Sequence, residues 1–456
     1  MTLFIDPTSA DTRREDPTPE GHAPGDPARR QGFSTRQVHA GERAVAGTPR
    51  ATPIYLTAGF SFDEYDAAES HFRDGEGYAY TRVANPTIDT VESRIAALEG
   101  GTEALLVSSG QAAMSVALLS LVSAGGHVVS SAHVYEGTRG LIADNLSRFG
   151  VTSDFVWDIG DPDAWRARIR PETRALVAES LSNARNEVLD IAAIAEIAHE
   201  HGIPLVVDNT MATPYLLRPL EHGADLVVHS ASKFLAGQGA VIGGVIVDGG
   251  RFDAAHGALF PHLLAPQGPG GASVAERAGG RAWIAYARET VAPRFGSTLS
   301  PFNAFLIGQG IETLSLRVER QSANALVAAR WLEERDEVVS VDYAGLASHP
   351  RPDLAARYLP DGHGAVFTFT LRGGQAAARG FVEALRTFTH MTHIGDVRSL
   401  VLHPATTSHV GRTPAEQAAA GVHPGTLRLS VGIEDVADLL DDLARGIAAV
   451  RVGFGS

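Results

Sequence analysis

Cysteine is absent from the 456 residues, which excludes disulfides, thiolate metal ligands and a cysteine nucleophile. Any sulfur chemistry must therefore use sulfur from outside the chain. No apolar run approaches the roughly 18 residues that read as a membrane-spanning helix, and the start, "MTLFIDPTSADTRRED", lacks an apolar stretch of signal-peptide length. A cytoplasmic location is the expectation. Positive charge is also scarce: the net charge is −15, which argues against nucleic acid or an anionic membrane as a partner. The 18 histidines show no His-Glu-x-x-His spacing, so no metal is expected.

The scarcest basic residue is lysine. Lys233 in "HSASKF" is the only one among 38 lysines and arginines. An arginine cannot lose its proton in a protein, whereas a buried or cation-flanked lysine can. Only the neutral amine is a nucleophile, so a lone lysine in an arginine-rich chain points to amine chemistry, such as a Schiff base to a carbonyl cofactor. The alternative at this level is a codon-biased genome that left one lysine by accident, and the surroundings must decide.

Residues 1–31 are rich in Pro, Asp, Arg and Gly with almost no aliphatic side chains, and are expected to be a disordered tail. Residues 32–90 carry turn signals and short apolar pieces with little periodicity, which suits an extended arm lying on another surface. Between 103 and 248 seven short β-rich runs, from "EALLVSSG" to "VIGGVIVD", are mostly separated by helical stretches. The pattern predicts an α/β domain, residues 91–300, with a mostly parallel seven-stranded sheet covered on both faces. Its last two strands are too close for a helix between them and should pair antiparallel. A long helix should follow "LSPFNAF", with Ser300 as N-cap and Pro301 at its first position. Strands at "AVFTFTL" and "LRLSVG" and the amphipathic "DVADLLDDLARGIAAV" complete a smaller C-terminal α/β domain, residues 301–456.

Several residues converge on Lys233. "LVVDNT" ends a buried strand on Asp208, where a carboxylate needs a cation or hydrogen-bond donors; a protonated pyridine nitrogen would serve. Both residues lie at the carboxyl ends of strands, where open α/β sheets bind ligands. "SSGQAAM" sets a glycine turn at a helix start, so the N–H groups of Gly110 and Gln111 are candidates for holding a phosphate. Ser230 and Ser232 add hydroxyls from the other side. Tyr135 in "HVYEGT" could lay its ring on a flat cofactor. Arg428 in "TLRLSVG" could grip a substrate carboxylate through two parallel hydrogen bonds. Taken singly, each has a plainer reading as a turn, core or surface residue.

Taken together, "YTRVANPT", "SSGQAA", "VVDNTMATPY", "HSASKFLAGQG", "SLVLHPATTSH" and "LRLSVGIE" resemble, in order and spacing, the Cys/Met-metabolism (transsulfuration) family of pyridoxal phosphate enzymes. The resemblance spans roughly residue 33 to the end and implies the fold type I architecture with pyridoxal 5'-phosphate as cofactor. It implies that Lys233 forms the Schiff base, that Asp208 meets the pyridine nitrogen, that Tyr135 stacks on the ring and that Arg428 holds the substrate carboxylate. It further implies that Tyr80 and Arg82 reach the phosphate of a neighbouring subunit in a homo-oligomer, expected to be a homotetramer. Ser399 matches a family serine near the substrate, and Asn183 an asparagine after the "ES" pair. Within the family the chain looks most like the O-acetylhomoserine sulfhydrylases, which implies O-acetylhomoserine and sulfide as substrates. Cystathionine γ-synthases and γ-lyases are the similar alternatives, and a non-catalytic cofactor-binding regulator is the alternative of another class. Two positions depart from the family pattern: Ala184 stands where an Asn-Pro pair is usual, and Glu136 where a glycine is common.

Overall fold

Strands that are aliphatic on both faces must be covered on both, and this requirement organises the chain. The computed structural model describes residues 31–42, 47, 49–74, 77–183, 185–252, 259–267 and 271–454. Apart from residue 31 the expected tail lies outside the described residues, as does Ala184.

The seven expected strands are β1 (Glu103–Val107), β2 (His127–Ser131), β3 (Thr152–Val156), β4 (Thr173–Glu179), β5 (Leu205–Asp208), β6 (Leu226–His229) and β7 (Gly244–Asp248). They form one sheet in the order β1-β7-β6-β5-β4-β2-β3. Only β7 opposes its neighbours, pairing antiparallel with both β6 and β1. Alternate residues face opposite ways. Leu106, Val129, Leu176, Val207 and Val227 pack beneath helices 86–99, 191–200 and 301–311; Leu105, Val128, Val177, Val206 and Val228 pack against helix 110–119 and the segment around Trp283. A one-residue slip in any strand would exchange these faces, which is what fixes the register.

A second sheet, β10-β11-β12-β9-β8, is built from β8 (Val338–Asp342), β9 (Val366–Leu371), β10 (Thr389–His390), β11 (Leu400–Leu402) and β12 (Thr426–Ser430). Helices 314–333, 374–384 and 436–454 close its core around Phe367, Phe369 and Phe381. The sequence pattern had shown only β9 and β12, because β10 and β11 are two and three residues long and β8 is largely exposed.

The helix after "LSPFNAF" begins as expected with Pro301 in its first turn, but the Ser300 side chain makes no capping bond. It is also two helices, Pro301–Ile311 and Leu314–Glu333. At the break the Gly310 carbonyl accepts the Thr313 N–H at 3.3 Å in a tightened turn, and Arg317 Nη2 donates to the same carbonyl at 2.7 Å while its Nε donates to Thr313 Oγ1 at 3.2 Å. Between residues 32 and 90 the chain forms helices Phe33–His39 and Tyr65–Asp74, and Tyr65 and Phe72 in the second stand 85% and 80% exposed. Among the described residues no helix is long and apolar enough to cross a membrane.

Candidate active site

Parallel strands deliver their carboxyl ends to one edge of the sheet, and here two of them deliver carboxylates. Glu179 ends β4, Asp208 ends β5, and the two are paired in register. Glu179 is buried and accepts the N–H groups of Tyr135 (2.6 Å) and Asn183 (3.1 Å). Asp208 Oδ1 accepts the Thr210 N–H at 2.9 Å. Burial pushes both carboxyls above their ordinary range, and for Glu179 the charge of Asp208 adds to the push. Among the described residues neither has a cation within ion-pair distance. A positively charged ring nitrogen beside Asp208 would relieve both.

Lys233 sits in the loop after β6. Its carbonyl accepts the N–H of Gly237 at 2.7 Å, and Gly237 adopts φ 76°, the left-handed region that glycine enters without strain. Arg317 braces the same loop from beneath, donating to the carbonyls of Phe234 (2.9 Å) and Leu235 (3.4 Å). That close approach needs glycine at 310, where a Cβ would lie 2.3 Å from the Ala236 carbonyl oxygen. The Lys233 amine lies 3.1 Å from His393 Nδ1. Burial first, and the Arg428 charge second, bring the Lys233 pKa down to about 8. Burial and the Lys233 charge push His393 down to about 4, so the imidazole is neutral and can accept a hydrogen bond from the amine.

Helix 110–119 opens beside this loop, capped by the Ser109 hydroxyl, which accepts the Ala112 N–H at 3.1 Å. The N–H groups of Gly110 and Gln111 are left without partners among the described residues, as at any helix start. A Cβ on Gly110 would meet the Ser230 Cβ at 2.7 Å; the missing side chain is what lets the helix start and the Ser230 hydroxyl converge on one anion-sized place. Ser232 differs. It is buried, and its hydroxyl donates to the Gly243 carbonyl (3.1 Å) and accepts the Gly243 N–H (3.0 Å), so its single proton is committed to the loop.

On the other side Arg428 rises from β12, 9% exposed. Its Nη1 donates to Asn183 Oδ1 at 2.9 Å and its Nη2 to the His393 carbonyl at 3.4 Å. Among the described residues no carboxylate is within ion-pair distance. Burial lowers its pKa to about 10. Tyr135, 49% exposed, lines one cavity with Asn183 and Arg428. Ser399 is fully buried, its hydroxyl donating to Glu434 Oε2 and accepting the Gly432 N–H, both at 2.9 Å. Tyr80 and Arg82 lie elsewhere: Arg82 donates to the Pro293 carbonyl at 2.8 Å and stands 5.5 Å from the Tyr80 ring.

The tertiary structure thus brings Lys233, Asp208, Gly110, Gln111, Ser230, Tyr135, Asn183 and Arg428 to one region, holds Ser232 and Ser399 in local bonds, and leaves Tyr80 and Arg82 apart. Sequence reasoning missed Glu179, His393 and Arg317. Glu179 had a signal, a carboxylate closing a predicted strand; His393 and Arg317 had none. A buried unpaired carboxylate pair, an uncharged-capable amine, a helix start opened by Gly110 and a half-exposed ring are the donor set that a pyridine carbaldehyde phosphate needs, so these residues fit pyridoxal phosphate.

Comparison with known proteins agrees. The profile of the family described as Cys/Met metabolism PLP-dependent enzymes matches residues 34–448. An O-acetyl-L-homoserine sulfhydrylase from Corynebacterium glutamicum is 43% identical, with 92% of this chain and 97% of that protein covered. An O-succinylhomoserine sulfhydrylase from Pseudomonas aeruginosa is 40% identical over 92% of this chain and 96% of its own length. A crystal structure of a putative O-acetylhomoserine (thiol)-lyase from Campylobacter jejuni, holding a pyridoxyl-lysine monophosphate, superposes with a TM-score of 0.88 at 33% identity, covering 91% of this chain and 99% of that one. By sequence profile, by relatives along nearly its whole length and by fold, the chain belongs to the Cys/Met-metabolism family of pyridoxal-phosphate-dependent enzymes.

Proposed function

We propose that the chain catalyses γ-replacement on O-acetyl-L-homoserine: the Cγ–oxygen bond breaks, acetate leaves, and sulfide sulfur bonds to Cγ to give L-homocysteine. The observation that carries this reading is Arg428, a buried guanidinium with no carboxylate partner among the described residues, in one cluster with the only lysine. A buried cation is costly unless paired, and an amino-acid carboxylate would pair it. The relatives named as homoserine-ester sulfhydrylases supply the ester and the sulfur donor.

Pyridoxal phosphate, when bound, supplies an electron sink for the substrate carbon next to the amine. Asp208 would hold its ring nitrogen, Tyr135 its ring face, and Gly110, Gln111 and Ser230 its phosphate. Lys233 would hold its carbonyl carbon until the substrate amine arrives, then carry protons at Cα and Cβ as general base and acid. His393 keeps that amine aimed by accepting its hydrogen bond. Arg428, oriented by Asn183, holds the substrate carboxylate so that the reacting carbons stay within reach of Lys233. Ser399, tied to Glu434, would support the strand edge beside them.

The reading extends to assembly. Residues 32–90 would form an arm on a neighbouring copy, 91–300 the cofactor domain and 301–456 the C-terminal domain of a cytoplasmic homotetramer. Tyr80 and Arg82 would complete the phosphate site of that neighbour. Support comes from the arm's exposed apolar side chains, with Leu56 at 73%, Tyr65 at 85% and Phe72 at 80%, a surface that a second copy would cover.

Two measurements test the reading. Protein stripped of cofactor should capture pyridoxal phosphate faster as pH rises through about 8, because below that value Lys233 is an ammonium with no lone pair. Stopped-flow absorbance follows the capture, and a rate flat across this range counts against the assigned amine. In the second, holoenzyme with O-acetyl-L-homoserine and equal sulfide and cysteine should yield mostly homocysteine. Mostly cystathionine would move the chain to the cystathionine γ-synthase branch with the site intact.

A further inference from the structure

Glu136 follows directly after Tyr135 and lines the cavity shared by Tyr135, Asn183, His409, Arg412 and Arg428. Its carboxylate forms an ion pair with Arg412, whose side chain is 7% exposed. Glu136 is the only ion-pair partner of Arg412 among the described residues. The guanidinium is still not satisfied: its Nε and Nη1 are buried without a hydrogen-bond partner. Arg139 next to it also has a buried Nη1 without one. His409 adds no charge of its own, since burial and Arg412 push it down to about 4. Among the described residues Glu136 is the only carboxylate that lines the cavity; Glu416 acts on Arg139 and Arg412, and Asp144 on Arg139, without lining it, so the positive charge at this end is already answered by carboxylates.

Arg428, where the substrate carboxylate would bind, and Arg412 line the same cavity; the acyl end of a homoserine ester is taken to point into the end beside Arg412. A neutral acetyl group can occupy it without disturbing the Glu136–Arg412 pair. A succinyl group ends in a carboxylate, which would meet the Glu136 charge or have to displace it. Like charges brought together in a partly dry site are strongly disfavoured, and selectivity often rests on such a repulsive element. Without Glu136, the Arg412 guanidinium would present free donors to that same carboxylate.

We propose that Glu136 is a specificity-determining residue: by occupying Arg412 it excludes homoserine esters whose acyl group ends in an anion and keeps the site selective for the acetyl ester. The inference rests on the γ-replacement reading above and deepens it. The test compares kcat/KM for O-acetyl- and O-succinyl-L-homoserine, each with sulfide, in the wild-type holoenzyme, Glu136→Gln, and the double variant Glu136→Gln/Arg412→Met. Wild type should prefer the acetyl ester. Glu136→Gln should raise the succinyl-to-acetyl ratio by at least about tenfold, and the double variant should lose that gain. Because the readout is a ratio within one protein, general damage to folding lowers both rates and leaves it unmoved.

A Glu136→Gln ratio within about twofold of wild type, or a gain that persists in the double variant, overturns the proposal. Titrating the cofactor absorbance of each holoenzyme with the two esters measures the same preference by binding alone. No turnover of either ester by the wild-type holoenzyme, with the binding ratio shifted in Glu136→Gln, would therefore sink the γ-replacement reading and keep the role of Glu136. Normal acetyl turnover with no shift would do the reverse.

Discussion

Lys233→Arg is expected to lower kcat by about a thousandfold or more while the protein still folds, the range that loss of a positioned proton carrier produces. The substitution keeps the positive charge, but a guanidinium holds its proton at every working pH. The effect therefore separates chemistry from electrostatics. Lys233→Ala is the companion variant: small primary amines added to the buffer should restore part of its turnover, which a structural lysine would not allow. Near-normal turnover in Lys233→Arg would remove the central assignment.

Arg428→Leu should lower kcat/KM for O-acetyl-L-homoserine by about a hundredfold, since losing one partner of a desolvated charge pair costs roughly 2–5 kcal/mol. Its melting temperature should hold or rise. The contrast with Arg94 explains the sign. Arg94 is also buried, but it meets Glu42 at 3.0 Å and Glu312 at 3.2 Å, so its charge is answered within the fold. Among the described residues Arg428 has only Asn183 Oδ1 and the His393 carbonyl. Removing it gives up two hydrogen bonds of about 1 kcal/mol each net and also relieves the cost of an unanswered buried cation. A large drop in melting temperature with substrate affinity unchanged would mark Arg428 as structural.

The residues proposed to hold the cofactor could largely be picked out from local sequence. Lys233 was conspicuous by composition, Asp208 by its place at a strand end, and Gly110 and Gln111 by a glycine turn between strand and helix. Each depends on a few consecutive residues. Ser232 shows the limit of that approach: alternation put it beside Lys233 with Ser230, yet its hydroxyl is taken by Gly243 across the loop. The predicted long helix shows it again, since it breaks where Arg317 bonds both the Gly310 carbonyl at the break and the Phe234 carbonyl of the lysine loop.

The sequence by itself determined the seven strands of the large sheet and the antiparallel return of β7, and singled out Lys233 and Asp208, because apolar runs, spacing and turn chemistry are local and the side-chain period leaves one register. Only the tertiary structure decided which charges answer one another. Arg428 with Asn183, His393 with Lys233, Glu179 beside Asp208, and Glu136 on Arg412 join elements far apart in the chain. Whether a buried charge is a structural ion pair or a binding site depends on what packing leaves next to it, and no local pattern encodes that neighbour.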